Sequence, residues 1–336
     1  MRVIKLCLIA TSFFIFVICV FVKFLPKYID IETRGYEALQ IMGNHGIIEN
    51  EDRLNAIMND TDFGKNIENA DYLSYILRDL NKHSKAYQYT KSSEEELVQE
   101  ESISLPILSK VGRYNIITIP GIYSLSESMI SKYINTLSNL IEESKENIVL
   151  DLSNNPGGDV VPMLLGARSL IPDGLIFKGV DHTGNRSPVY LSSNKLKGGI
   201  SNVLELESDS LDIPMCKKTL NKKVAIIISE KTGSAAEALV LALKHNKNIK
   251  VFGTPSAGYT SWNISRELSR PDTDSIWVIS YTIGYFEVNY GNSEKDKQIY
   301  NNKKIKPDIE VKIPIFNEIN DELITKVDNF FKKNKN

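Results

Sequence analysis

From about Gly112 onward, short apolar runs alternate with helical patterns, and this alternation restricts the possible folds more than any other feature of the chain. "RYNIITIPGI" reads as a strand, "SLSESMISKYINTLSNLIEES" as an amphipathic helix and "NIVLDLS" as a strand. "VVPMLLGARSLI" follows as a short helix, "KKVAIIIS" as a strand, "AAEALVLALKHN" as a helix and "IKVFG" as a strand. "TPSAGYTSWN" then reads as a loop, and "DSIWVISYTIGYFEV" as one or two strands. Strands separated by helices cannot pair as hairpins. They indicate an α/β body with a largely parallel sheet. Residues 174–215 break the pattern, with poor periodicity and many Gly, Ser, Asn and Asp, and are expected to form a flap or cap insertion.

Before this body lie two other textures. Residues 28–82 read as a small helical region, with apolar spacings of three and four in "GYEALQIMG" and "DYLSYILRDL". Residues 1–27 hold the uncharged run Leu6–Val22, preceded by Arg2 and Lys5 and followed by Lys23 and Lys27. As a helix this run is roughly 26 Å long, close to one hydrocarbon thickness. No small-x-small cleavage site ends it, so a retained single-pass anchor is expected, with everything after Lys27 on one side of the membrane. The α/β body then fills residues 83–336.

Composition removes several function classes. The 336 residues carry a formal charge of −2 and no basic stripe, so nothing favours nucleic acid as a partner. Cys7, Cys19 and Cys216 can build neither a disulfide framework nor a metal site, and no cofactor or metal is expected. The acidic stretch "KSSEEELVQEES" reads as a solvated loop or exposed helix.

Two strand-to-helix turns hold the chemistry. In "LDLSNNPGGDVVPML" a strand runs into Gly157 and Gly158 before a helix begins. Glycines allow the sharp turn, and free N–H groups at the helix start attract negative charge such as an acyl-transfer oxyanion. No lysine follows, which excludes a phosphate-binding P-loop. In "SEKTGSAAEALVLALKH" Ser234 opens a helix. Ser234 and Glu237 have the spacing of a capping box. Alternatively Thr232 caps the helix and the Ser234 hydroxyl is free as a nucleophile. The two turns can meet at the C-terminal edge of one sheet, where open α/β sheets bind ligands.

These residues resemble a family. "DLSNNPGGDV" resembles the Asp-Leu-Arg-x-Asn-x-Gly-Gly signature of the tail-specific, or C-terminal processing, serine peptidases. "EKTGSAAEAL" resembles their nucleophile motif, and "LRDLNKHSKAY" their Leu-x-Asp-x-His-Ser/Thr segment, with Asn81 where aspartate is common. The three motifs fall in the family's order across about residues 70 to 315. The resemblance implies a crotonase-like core. The lysine that many members place about twenty-five residues after the serine is absent, since none occurs between Lys250 and Lys295.

Of the four histidines, His245 lies eleven residues along the helix from Ser234, about 16 Å away. His45 and His182 fall in the helical region and the flap, while His83 falls in the family-like motif. Pairing of serine with histidine resembles the nisin resistance branch of the family, as do the single anchor and too little chain before the core for a PDZ domain. By that resemblance Ser234 is the nucleophile and His83 its base. The amides of Gly158, Asp159 and Ala235 form the oxyanion hole. Val160, Tyr259, Thr260, Trp262 and Asn263 line the substrate groove, and Glu237 is a candidate orienter of His83. The implied activity is cleavage of a cationic lantibiotic near its C-terminus by an extracytoplasmic serine endopeptidase. Processing of another extracytoplasmic peptide, an inactive peptide-binding module and a crotonase-like acyl-CoA enzyme are the alternatives.

Overall fold

A computed structural model describes residues 34–332 apart from 61–62, 64–66, 68, 91–103, 124–125, 145–147, 201–203, 208–210, 212, 269–273, 292, 313 and 316–319. The expected anchor, at 1–27, and the acidic run at 94–101 lie outside the described residues. Among the described residues no helix is long and apolar enough to cross a membrane. They fall into two compact units: those up to residue 96 with Ser265–Tyr281, and those from 97 to Ile264 with Thr282 onward.

In the first unit, helices α1 (residues 34–45), α2 (Glu51–Met58) and α3 (Ala70–Leu80) bury Leu39, Met42, Leu54, Leu73 and Leu77. Asn50 caps α2 through Arg53 N–H and Asn69 caps α3 through Tyr72 N–H, each satisfying a free donor of a helix start. Strand β1 (Lys85–Thr90) leaves α3 and pairs antiparallel with residues 275–280, the first half of a strand that runs from Ser275 to Asn289. The unit is therefore not a helical region ending at 82. A strand and a distant return segment complete it, and no local pattern marks that pairing.

The second unit is built on a sheet of β2 (Ile107–Val111), β3 (Tyr114–Thr118), β4 (Ile148–Asp151), β9 (Val224–Ile228), β10 (Ile249–Gly253) and β11 (Ile309–Glu310). Their order across the sheet is β11-β10-β9-β4-β3-β2. Every pair is parallel except β2 with β3, as the strand–helix alternation requires. Strand β9 is the apolar run VAIII, buried at every position, which is the composition of a central parallel strand covered on both faces. One face packs on α7 (Asp321–Lys332) through Val149, Ala225, Ile227, Phe252, Leu323 and Val327. Helices α4 (Glu127–Glu143) and α5 (Val160–Gly166) meet so closely that a Cβ on Gly166 would lie 2.7 Å from Leu137. All nine residues of α6 (Ala235–Leu243) are buried.

The region 174–215 is more regular than its composition suggests. Strands β5 (Gly174–Asp181), β6 (Arg186–Leu191), β7 (Leu196–Ile200) and β8 (Leu204–Glu207) form an antiparallel meander. The second half of the Ser275–Asn289 strand adds to its β5 edge, with Gly284 opposite Asp181.

Candidate active site

Strands β4 and β9 are parallel neighbours, with Asp151 opposite Ile227, so the turns that follow them leave the same sheet edge side by side. The first turn passes over Gly157 and Gly158 into α5, and the second over Thr232, Gly233 and Ser234 into α6. They touch. A Cβ on Gly157 would stand 2.7 Å from Ser234 Cβ and 2.8 Å from the Gly233 carbonyl oxygen, at a backbone φ of +112°. Only glycine satisfies both demands.

Asn155, fully buried, joins the pieces. Its Nδ2 donates to the Ile119 carbonyl (2.9 Å), its Oδ1 accepts from Gly157 N–H (2.9 Å) and its own carbonyl accepts from Gly233 N–H (3.0 Å). One side chain and its backbone thus tie the end of β3, the glycine turn and the serine turn together. Thr232 does not cap α6. Its hydroxyl, fully buried, donates to the Leu152 carbonyl (2.7 Å) and accepts from Ser229 N–H (2.9 Å), bracing the serine turn against the strand beside it.

Ser234 occupies the N-cap position with φ +53° and ψ −119°, a left-handed conformation that a residue with a Cβ adopts only under constraint. Its hydroxyl approaches the Glu237 amide in the manner of a capping box but makes no side-chain cap hydrogen bond of full geometry. The reverse arm is well formed: Ser234 N–H donates to Glu237 Oε2 at 2.9 Å. The cap and nucleophile readings therefore converge on one residue. The glutamate caps the backbone, and the serine side chain is left partly exposed at the turn.

Glu237 is 0 % exposed. Oε1 accepts from the Ser256 hydroxyl and from Gly258 N–H (2.8 Å), and Oε2 from Ser234 N–H and Tyr259 N–H (2.8 Å). Ser256 Oγ in turn accepts from Ile305 N–H at 2.7 Å. Burial pushes the Glu237 pKa up, and these four hydrogen bonds oppose that rise. With both oxygens committed, Glu237 is neither an ordinary first-turn residue nor the orienter of a histidine. It clamps the serine turn to the loop at 256–259.

The expected anion-binding amides divide. Asp159 N–H donates to the Ile122 carbonyl at 2.7 Å and is not available, which corrects its assignment to the oxyanion hole. Its carboxylate instead caps α5 through Val161 N–H (2.9 Å), and burial raises its pKa. The N–H groups of Gly158 and Ala235 have no partner among the hydrogen bonds of the described residues. Ala235 N lies 3.1 Å from the point where a Cβ on Gly157 would stand, so this amide sits beside the glycine turn.

The expected groove residues divide as well. Val160 and Tyr259 are accessible, Tyr259 at 39 %. Thr260 is buried and exchanges two 2.8 Å hydrogen bonds with the Lys303 backbone, and Trp262 is buried against Phe177 and Phe286 with ring centroids 5.6 and 4.9 Å away. Both are structural, which corrects their placement in a groove. Asn263 accepts from the Thr282 hydroxyl at 2.8 Å.

His83 belongs to the first unit and Ser234 to the second. His83 follows α3 in a turn shaped by buried Asn81, whose Oδ1 accepts from His83 N–H (3.1 Å) while its Nδ2 donates to the Ile47 carbonyl (3.1 Å). Desolvation, then the charges of Lys85 and Lys82, lower the His83 pKa to about 4. The ring is therefore neutral at pH 7 and able to accept a proton. His245 is occupied elsewhere, with Nε2 2.6 Å from the Ile176 carbonyl.

The chain is similar to several known proteins. The profile of peptidase family S41 matches residues 113–311. The nisin-resistance protein of Lactococcus lactis subsp. lactis is 31 % identical over 220 residues, 64 % of this chain and 63 % of that protein. The carboxy-terminal processing protease CtpA of Bacillus subtilis (strain 168) is 20 % identical over 193 residues, 57 % of this chain and 34 % of that one. The chain thus spans less than two thirds of the length of these relatives. Among solved structures, that of a lipoprotein from Streptococcus agalactiae has the same fold, with a TM-score of 0.63 at 23 % identity over 90 % of this chain and 96 % of that one.

Proposed function

The chain belongs to peptidase family S41, and from that premise we propose that it is a membrane-anchored serine endopeptidase that cuts a nisin-like lantibiotic near its C-terminus and so confers resistance. One observation carries the peptidase reading. Ser234 is held in a left-handed conformation at a strand-to-helix turn, beside two amides, of Gly158 and Ala235, that have no hydrogen-bond partner among the described residues. Strain at such a turn exposes a serine Oγ, and paired free N–H groups suit the oxyanion of a tetrahedral intermediate.

In this reading Ser234 Oγ attacks the peptide carbonyl and its proton passes to His83. The oxyanion settles on the Gly158 and Ala235 amides. His83 returns the proton to the leaving amine, and water, activated in the same way, releases the acyl group. His83 meets the requirement for a base in one respect: its lowered pKa keeps it unprotonated at neutral pH. The substrate class rests on the similarity to the nisin-resistance protein and on the acidic stretch at 94–101, whose charge attracts a cationic peptide. Anchoring, with the catalytic part outside the cell, rests on the uncharged run Leu6–Val22. The similarity to a carboxy-terminal processing protease favours a second reading, maturation of another extracytoplasmic peptide by the same chemistry.

The test is mass spectrometry of nisin incubated with the full-length protein in detergent, beside Ser234→Ala and His83→Ala variants. A C-terminally shortened product that both variants fail to make supports the dyad and the substrate together. Cleavage of other peptides but not nisin transfers the reading to processing, and no cleavage of any peptide refutes both.

A further inference from the structure

The strap Ile119–Tyr123 crosses the glycine turn and is fixed from several sides. Asn155 Nδ2 holds the Ile119 carbonyl, and Tyr133 Oη donates to the Pro120 carbonyl at 2.7 Å. The Ile122 carbonyl accepts from Asp159 N–H. Contact is so close that a Cβ on Gly121 would come within 2.5 Å of the Gly157 carbonyl oxygen, and one on Gly158 within 2.0 Å of the Ile122 oxygen. Ile122 is 1 % exposed; the next residue, Tyr123, is 68 % exposed. A backbone this constrained thus carries a large aromatic ring that the core does not use. At the serine turn the Tyr259 ring lies 3.3 Å from the point where a Cβ on Gly233 would stand.

We propose that Tyr123 walls the subsite for the side chain of the residue whose carbonyl is attacked, and that this subsite selects an apolar side chain. The proposal rests on the peptidase reading above. A carbonyl oxygen on Gly158 N–H puts the Cα of its residue within a few ångströms of Gly158, beside the strap that presents Tyr123. Aromatic faces gain contact area and dispersion from aliphatic and aromatic partners, and a glycine there gains nothing. Tyr123 is a specificity residue here, not a catalytic one.

The experiment profiles cleavage sites by mass spectrometry in a mixture of short synthetic peptides of diverse sequence, using the full-length protein, Tyr123→Ala and Tyr123→Phe. The wild type is expected to favour Leu or Phe over Gly before the cut bond by about tenfold or more, and Tyr123→Phe to keep that preference. Tyr123→Ala should reduce it to about threefold or less, through slower cutting after Leu and Phe. An unchanged preference in Tyr123→Ala, or an equal loss at every site, overturns the subsite and leaves the peptidase intact. No cleavage by the wild type overturns the peptidase reading and the subsite with it.

Discussion

Replacing Glu237 by glutamine keeps the side chain's size and shape and changes only what one terminal atom can do. In the native site both oxygens face donors: Ser256 Oγ and Gly258 N–H on one, Ser234 N–H and Tyr259 N–H on the other. A glutamine NH2 in the second position confronts two backbone N–H groups that cannot turn away. In the first position it confronts Gly258 N–H, and Ser256 Oγ can accept from it only while already accepting from Ile305 N–H. Either orientation orphans at least one buried donor and exchanges charge-assisted bonds for neutral ones. At about 1–3 kcal/mol per orphaned group the cost is about 2–5 kcal/mol, a drop in Tm of roughly 5–15 °C for a unit of this size. In the second position the bond that holds the Ser234 backbone is lost, and in the first the grip on the 256–259 loop fails, so reactivity should fall further than stability, by about a hundredfold. The assay is the rate at which a fluorophosphonate labels Ser234, measured beside a thermal melt, for Glu237→Gln and Glu237→Ala. A glutamine variant that labels at the wild-type rate and melts within a degree or two of it would refute the clamp.

Other expectations follow from the same contacts. Gly157→Ala forces a Cβ within 2.7 Å of Ser234 Cβ at a left-handed φ, and fluorophosphonate labelling should fall at least about a hundredfold. His83, with a folded-state pKa near 4 against an ordinary 6.5, takes up its proton later than the unfolded chain does as pH falls. Stability present above about pH 6.5 should therefore be lost on acidification toward pH 4, and His83→Gln should flatten that slope in urea unfolding. For the same reason the acid limb of kcat/KM should lie nearer pH 4 than 6.5. Thr260→Val removes both hydrogen bonds to the Lys303 backbone and should cost about 1–3 kcal/mol in a melt while leaving KM unchanged, because Thr260 is fully buried.

The parts of this site legible in the sequence are those written in adjacent residues. A strand, a glycine pair and a helix start appear in order, and so do a strand, Thr-Gly-Ser and a helix. Parallel pairing of the two strands then brings the turns together. What was not legible depends on partners far along the chain. Ser234 and Glu237 show the spacing of a capping box, and one arm of it forms, but the other three donors to Glu237 come from residues 256–259. The Asp159 amide looked free because its acceptor, Ile122, lies in another loop. A loop's composition does not say which side chains turn inward, so Thr260 and Trp262 were placed in a groove although both are buried. The meander at 174–207 was hidden because Pro188 and the glycines at 198 and 199 interrupt its alternation. Asn155 was visible in the family-like motif, yet its role in joining three segments appears only in its hydrogen bonds.

The pairing of β1 with residues 275–280 has a consequence for biosynthesis. The ribosome makes β1 early, and its partner follows only after about 185 more residues, some 10–40 s later at ordinary elongation rates of about 5–20 residues per second. Through that interval Lys85–Thr90 is a strand without its ladder, attached to helices that have already been made. The unit whose helices are made before residue 97 is thus completed only after residues 97–264 of the other unit have been made.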